Sequence, residues 1–138
     1  MAEGLERFVE AQRPAYHEAL TELRAGAKRG HWMWFVFPQI AGLGHSPTAR
    51  RYAIRDEVEA RGYLGHPLLG ARLRESTAAM MAWAGRKSAE AILGPIDAMK
   101  FASSMTLFDA VDQDDACFAR ALAAFNRGER DPLTLERL

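Results

Sequence analysis

Residues 96–111 read IDAMKFASSMTLFDAV and follow directly on Gly94-Pro95. Pro at a first helical position loses only an N–H that would be unpaired anyway, and its fixed φ suits a helix start. Ala, Met, Leu and Lys then favour helix, and nothing in the stretch alternates with the period of a strand. At ~100° per residue, Asp97, Lys100 and Ser104 fall within roughly 60° of one another. Phe101, Leu107, Phe108 and Val111 surround them, so a polar trio sits on an apolar face.

The same helical reading extends outward in both directions. Upstream, Ser88 is placed to cap residues 89–93, and a helix is expected from Pro67 through Leu73 and Met80 to Trp83, ended by Gly85. Ser46-Pro47 is a cap followed by an N1 proline, and the helix it opens is carried to about Leu64, broken or ended near Gly62. Two short helices are expected between Leu5 and Ala25, because Pro14 would clash inside one helix and is better placed opening a second. Downstream, Asp114 is read as the cap of residues 116–126, Gly128 as their stop, and Asp131-Pro132 as the start of a final turn. The run His31-Trp32-Met33-Trp34-Phe35-Val36-Phe37, closed by Pro38, is short enough to be a strand or a buried helical turn. The expected architecture is all-α: one compact domain over residues 1–138, a bundle of about seven short helices.

Composition bounds the function. The 138 residues carry 18 Lys+Arg against 18 Asp+Glu, with 49% hydrophobic residues. That is enough apolar surface for a core without metal or disulfide staples. A zero formal charge gives no broad field for a phosphate backbone, so generic nucleic-acid binding is not expected. No apolar run is long enough to span a bilayer, and the charged start MAEGLERFVEAQRP lacks the apolar region of a secretory leader. One cysteine, Cys117, suits a reducing compartment, which makes the cytoplasm the expected location.

Three constellations carry candidate chemistry. In the first, Lys100 holds an anionic group, Asp97 acts as acid, base or orienting group, and Ser104 donates a hydrogen bond. The alternative is an i,i+3 ion pair of Asp97 with Lys100 plus a buried hydroxyl bonded to the preceding turn. In the second, Tyr52, Asp56, Glu59 and Tyr63 share one face of the helix after Pro47, where Glu59 would be a general base. The alternative there is a solvated edge with the tyrosines packed on the core. In the third, His31 and Gln39 bracket the aromatic run, with Lys28 and Arg29 before it and a glycine loop after it, as in one wall of a pocket. Core packing is the competing reading.

The histidines are scattered, with no zinc spacing, and neither a dinucleotide fingerprint nor a phosphate-binding GxxxxGK[ST] occurs. Neither a metal nor a cofactor is expected. Cys117 reads as a structural thiol.

Lys28-Arg29 with HWMWFVFPQI, then GLG and Ser46, Tyr52-Ala53-Ile54, Glu59-Ala60-Arg61-Gly62-Tyr63-Leu64, His66-Pro67 and Asp97-Ala98-Met99-Lys100 with SSMTLF form a recognisable set. In these blocks the chain resembles the bacterial and fungal domain-of-unknown-function family numbered eighteen-ten, over nearly its whole length. The resemblance implies a mostly or entirely helical domain and no established activity. Its polar positions here are Lys28, His31, Gln39, Ser46, Tyr52, Glu59, Asp97, Lys100, Ser103, Ser104 and Thr106, more than a bare core requires. The label calpastatin-like, sometimes given to such proteins, does not suit a short, apolar chain without repeats. A looser analogy links the Trp, Glu, Asp and Lys set to helical proteins that handle NAD and ADP-ribose.

Two functions are carried forward. The first is binding of a small anionic metabolite, nucleotide-like or ADP-ribose-like, with hydrolysis of an N-glycosidic or similar bond as its extension. Glu59 and Asp97 would be catalytic, and Lys28, His31, Trp34, Gln39, Ser46, Tyr52, Lys100 and Ser104 would bind. The second is a non-catalytic interaction or structural module.

Overall fold

A computed structural model describes residues 2–138; Met1, the first residue of the charged start, lies outside them. After an irregular helical turn, Ala2–Glu6, nine helices follow among the described residues. They are α1 (Arg7–Ala25), α2 (Met33–Val36), α3 (Pro47–Arg51), α4 (Glu57–Gly65), α5 (Leu69–Met81), α6 (Ala89–Leu93), α7 (Pro95–Val111), α8 (Cys117–Phe125) and α9 (Pro132–Leu135). The all-α expectation holds, and the count differs from seven for reasons that can be traced residue by residue.

α7 is the helix around which the others assemble. A helix with apolar residues around most of its circumference needs neighbours on several sides, and α4, α6, α8 and α9 all pack on it. Phe101, Met105, Leu107 and Phe108 are buried along it. The Phe37 ring meets Phe101 edge-on at 5.0 Å, and Tyr63 of α4 lies 5.4 Å from Phe108. α1 forms the outer layer against α5, with α2 wedged between them.

Pro14 does not divide the first helix: α1 runs unbroken through it. Its ring is exposed, as is Glu10, whose carbonyl loses its donor, while Phe8, Gln12, Tyr16, Ala19, Leu20 and Leu23 keep a continuous buried stripe. Core packing across that stripe outweighs the one hydrogen bond lost on the water side. α1 ends at Gly26, whose φ of 71° is left-handed and whose added Cβ would strike the Trp83 ring. The indole N–H of Trp83 donates to the Leu23 carbonyl at 3.0 Å.

The helix expected from Pro47 to Leu64 is two helices. Between α3 and α4 the chain extends so that Ile54 pairs with Ile40 in a parallel bridge, the Ala41 N–H donating to Ile54 O and the Ile54 N–H to Gln39 O, each at 2.8 Å. Ile54 is fully buried. The carbonyls freed at the break are taken by one side chain: Arg7 donates from Nε to Arg51 O at 2.7 Å and from Nη2 to Ala53 O at 2.6 Å. Asp56 then caps α4 by accepting the Glu59 N–H at 2.8 Å. Tyr52, Asp56, Glu59 and Tyr63 therefore do not form one helical face.

The aromatic run becomes the single turn α2, with Trp32, Met33, Val36 and Phe37 buried. Ser46 and Ser88 cap as expected, accepting the Ala49 and Ala91 N–H groups. At α8 the expected cap is displaced by one residue, because Asp115 rather than Asp114 accepts the Cys117 N–H. No helix of the described residues is long and apolar enough to cross a membrane.

Candidate functional site

A cleft of about 400 Å³ opens between the start of α7, the loop after α2 and the strap that joins α8 to α9. Ile96, Met99, Lys100 and Ser103 stand i, i+3, i+4 and i+7 on α7 and so present one wall. Gln39, Leu43 and Gly44 form a second, and the strap residues Arg130, Asp131, Pro132 and Leu133 a third. Ile96, Met99 and Leu133 are 71%, 73% and 57% exposed, which gives the cleft an aliphatic rim.

Lys100 brings the charge. Its ammonium lies 4.8 Å from the centre of the Trp34 ring and 3.5 Å from Asp97 Oδ1. The other oxygen of Asp97 meets Lys28 Nζ at 2.9 Å, and Lys28 lies over Trp32 at 5.1 Å while donating to the Gly30 carbonyl. Two lysines on two tryptophans thus share one carboxylate, and Lys100 presents its ammonium at the head of the cleft. The basic turn before them is fixed by Glu22, whose Oε1 accepts the Arg29 N–H, the Gly30 N–H and the Trp32 indole N–H at 2.7–2.9 Å. Burial opposes the Glu22 charge, but those hydrogen bonds outweigh it and hold the carboxyl below its usual range.

The hydroxyl run Ser103-Ser104-Met105-Thr106 has a structural use. Asp131 Oδ2 accepts from Ser103 Oγ at 2.8 Å and from Thr134 Oγ1 at 2.6 Å, and the Asp131 N–H donates to Thr106 Oγ1 at 2.9 Å. Arg130 reaches back to the buried Asp109 at 2.5 Å. These contacts latch the strap onto α7 and set the third wall. Ser104 stands apart: its Oγ is fully buried and makes no hydrogen bond.

The residues singled out from sequence fall into separate groups. Lys28, Trp34, Asp97 and Lys100 come together, with Gln39 on the cleft wall. Tyr52 and Glu59 belong to a second cluster at the other end of α1, a helix of 19 residues and so roughly 28 Å long at ~1.5 Å per residue. There Glu59 accepts from Arg7 at 2.8 Å and from Arg55 through both its N–H and its guanidinium. Burial works against the Glu59 charge, but the Arg7 and Arg55 hydrogen bonds prevail and hold its carboxyl below the ordinary range. Tyr52 packs on Phe35 at 5.4 Å and on Phe8 at 6.0 Å. His31 is exposed, and Ser46 serves as the α3 cap.

Several site residues carried no sequence signal strong enough to single them out. The Arg130–Asp109 and Ser103–Asp131 contacts join positions far apart in the chain. Ile96 and Met99 look like core in an apolar helix. Nothing in the sequence sets Arg7 and Glu22 apart from the other charged residues of their helix. Among the described residues no three His, Cys, Asp or Glu side chains gather as a metal site would require. His66 instead accepts the Leu68 and Leu69 N–H groups through Nδ1 at the start of α5.

Fold and site define an all-helical domain with an amphipathic cleft. The chain belongs to the family described as protein of unknown function (DUF1810), whose model matches residues 2–138. The crystal structure of the conserved hypothetical protein Rv1873 from Mycobacterium tuberculosis is similar at 49% identity, over 97% of this chain and 95% of that one, with a TM-score of 0.93. No curated protein matches the chain.

Proposed function

We propose that this domain binds a small organic anion in the cleft beside Lys100, within the cytoplasm. One observation carries the reading. The Lys100 side chain is half-buried, its ammonium makes no hydrogen bond among the described residues, and it is held in place by Trp34 and a long ion pair to Asp97. An ammonium has three donors, and one that spends only a long ion pair on Asp97 keeps donors for an anion at the head of the cleft. Its volume falls within the range of small-molecule sites, about 300–1,000 Å³. The lone thiol of Cys117 supports the cytoplasmic placement.

Of the two carboxylates singled out for chemistry, Asp97 is the one beside Lys100. Any hydrolysis of an N-glycosidic or similar bond in this cleft is therefore expected to depend on Asp97. Loss of that activity in Asp97→Asn, with Glu59→Gln active when folded, is the expected pattern. An activity indifferent to Asp97→Asn would remove the catalytic reading.

Binding is tested by thermal unfolding of the wild type and Lys100→Met with nucleotides, ADP-ribose, sugar phosphates and carboxylic acids. A ligand present at about a hundred times its Kd stabilises by about 2.7 kcal/mol. The expected result is a shift in the wild type that is absent in the variant. No shift with any anion would overturn the proposal. The exposure of Ile96, Met99 and Leu133 favours a second reading, a protein-binding groove. It requires a polypeptide partner whose capture is lost in Met99→Glu, with the anion panel inert.

A further inference from the structure

We infer that the ligand of this cleft is an aliphatic monocarboxylate, its carboxylate on Lys100 Nζ and its alkyl body along Ile96, Met99 and Leu133. The inference rests on the proposed anion site and narrows it to a substrate class. Four observations select that class. First, no aromatic side chain lines the cleft among the described residues, and Trp34, on whose ring the Lys100 ammonium rests at 4.8 Å, is not part of the lining. A stacked ring finds no platform here. Second, the apolar lining is aliphatic, and Met99 adds an unbranched, adaptable side chain that moulds to an alkyl chain.

Third, phosphate groups are usually held by forked guanidinium donors or by several backbone N–H groups. Among the described residues the guanidinium that lines the cleft is that of Arg130, and Asp109 Oδ2 accepts from its Nε at 3.0 Å and its Nη2 at 2.5 Å, so that edge of the fork is not available to a phosphate. A single ammonium suits a single negative charge. Fourth, Glu129 and Asp131 lie on the strap side, where their charges repel a second anionic group and turn a carboxylate toward Lys100. The resulting polarity, an ammonium at the α7 wall and two acids on a strap whose Arg130 is paired with Asp109, disfavours polyanions such as ADP-ribose and favours monovalent acids with an apolar body.

The experiment is calorimetric titration of the full chain with hexanoate, octanoate, octanol, inorganic phosphate and ADP-ribose. Lys100→Met and Leu133→Asp are titrated in parallel; the second changes an exposed position, so it remains informative if the first fails to fold. Affinity for the acids is expected to rise on the order of fourfold per buried methylene, with octanol weak and phosphate and ADP-ribose not bound. Leu133→Asp is expected to abolish octanoate binding, and Lys100→Met to reduce it to the level of octanol. If ADP-ribose or phosphate binds through Lys100 while chain length has no effect, the anion site stands and the aliphatic inference is overturned. If octanoate binds both variants as well as the wild type, the cleft is not its site. If no anion binds, this inference and the proposed function fall together.

Discussion

The Asp97 carboxylate lies 2.9 Å from the Lys28 ammonium, joining the loop after α1 to the first turn of α7. The Lys28 side chain is 9% exposed and that of Asp97 19%, so the pair is screened far less than a surface salt bridge. Removing one partner of such a pair strands the other in a poorly solvated place. Asp97→Asn takes the shared carboxylate from two lysines, whereas Lys28→Met leaves Asp97 with Lys100 beside it. Urea unfolding is expected to show a loss of about 3 kcal/mol for Asp97→Asn, the lower end for a broken buried pair, and a smaller loss for Lys28→Met. Losses below about 1 kcal/mol for both, the range of exposed pairs, would mean that solvent reaches the pair.

Glu22 makes the acid side of the stability curve predictable. Its carboxyl, like those of Glu59 and Asp115, is held below its ordinary range in the folded chain. For Asp115 the main cause is the Arg74 hydrogen bond at 2.7 Å. A carboxylate whose folded pKa is depressed contributes stability that is complete above its unfolded pKa, about 4.3 for Glu and 3.9 for Asp. That contribution is lost as pH falls through the folded values. Tm should therefore be flat near neutrality and decline below about pH 4.3, less steeply in Glu22→Gln. At neutral pH Glu22→Ala leaves the Trp32 indole and two backbone N–H groups without their acceptor, at about 1–3 kcal/mol for each one left unpaired. Thermal scans of both variants from neutral to acid pH check the sign and the size.

Local chemistry that declares itself in the sequence was legible there. Ser46, Ser88 and Pro95 mark helix starts because caps and N1 prolines act within a single turn, and helix propensity was enough to assign the class. What the sequence hides is competition over distance. Pro14 favours a break, yet the stripe from Phe8 to Leu23 keeps α1 whole. The segment around Ile54 can be helical, but Ile40 and Arg7 supply it with better partners as an extended strand. The candidate site follows the same rule. Asp97 and Lys100 are near in sequence and were found, and Lys28 joined them. The strap that completes the cleft depends on Asp131 meeting Ser103 and Thr106, residues 25 or more positions away. Glu59 carried the signature of a base, but Arg7, 52 positions earlier, makes it an anchor.

That latch gives a prediction about local rather than global stability. Asp131→Ala removes the acceptor shared by Ser103 and Thr134 while the apolar contacts of α7 with α4, α6 and α8 persist. Hydrogen exchange is expected to accelerate in residues 129–138 and to stay slow in α7, because sub-global opening is governed by the contacts of the segment that opens. Octanoate binding should weaken in parallel, since the strap forms one wall of the cleft. Uniform acceleration across the chain would show that the strap and the core unfold as one unit.

Ser104 offers the sharpest separation of stability from binding. Its hydroxyl is fully buried and makes no hydrogen bond, and an unpaired buried polar group costs about 1–3 kcal/mol. Replacing it by Ala removes that cost at the expense of one oxygen atom of volume, a void too small to cancel the gain. Ser104→Ala is expected to raise stability by about 1 kcal/mol in urea unfolding. The residue does not line the cleft, so octanoate affinity should not change. A less stable variant would mean that the hydroxyl holds a partner which Ala cannot replace. A variant that is more stable but binds more weakly would place Ser104 in the ligand's path, with the folded chain bearing an unmet donor for the sake of the bound state.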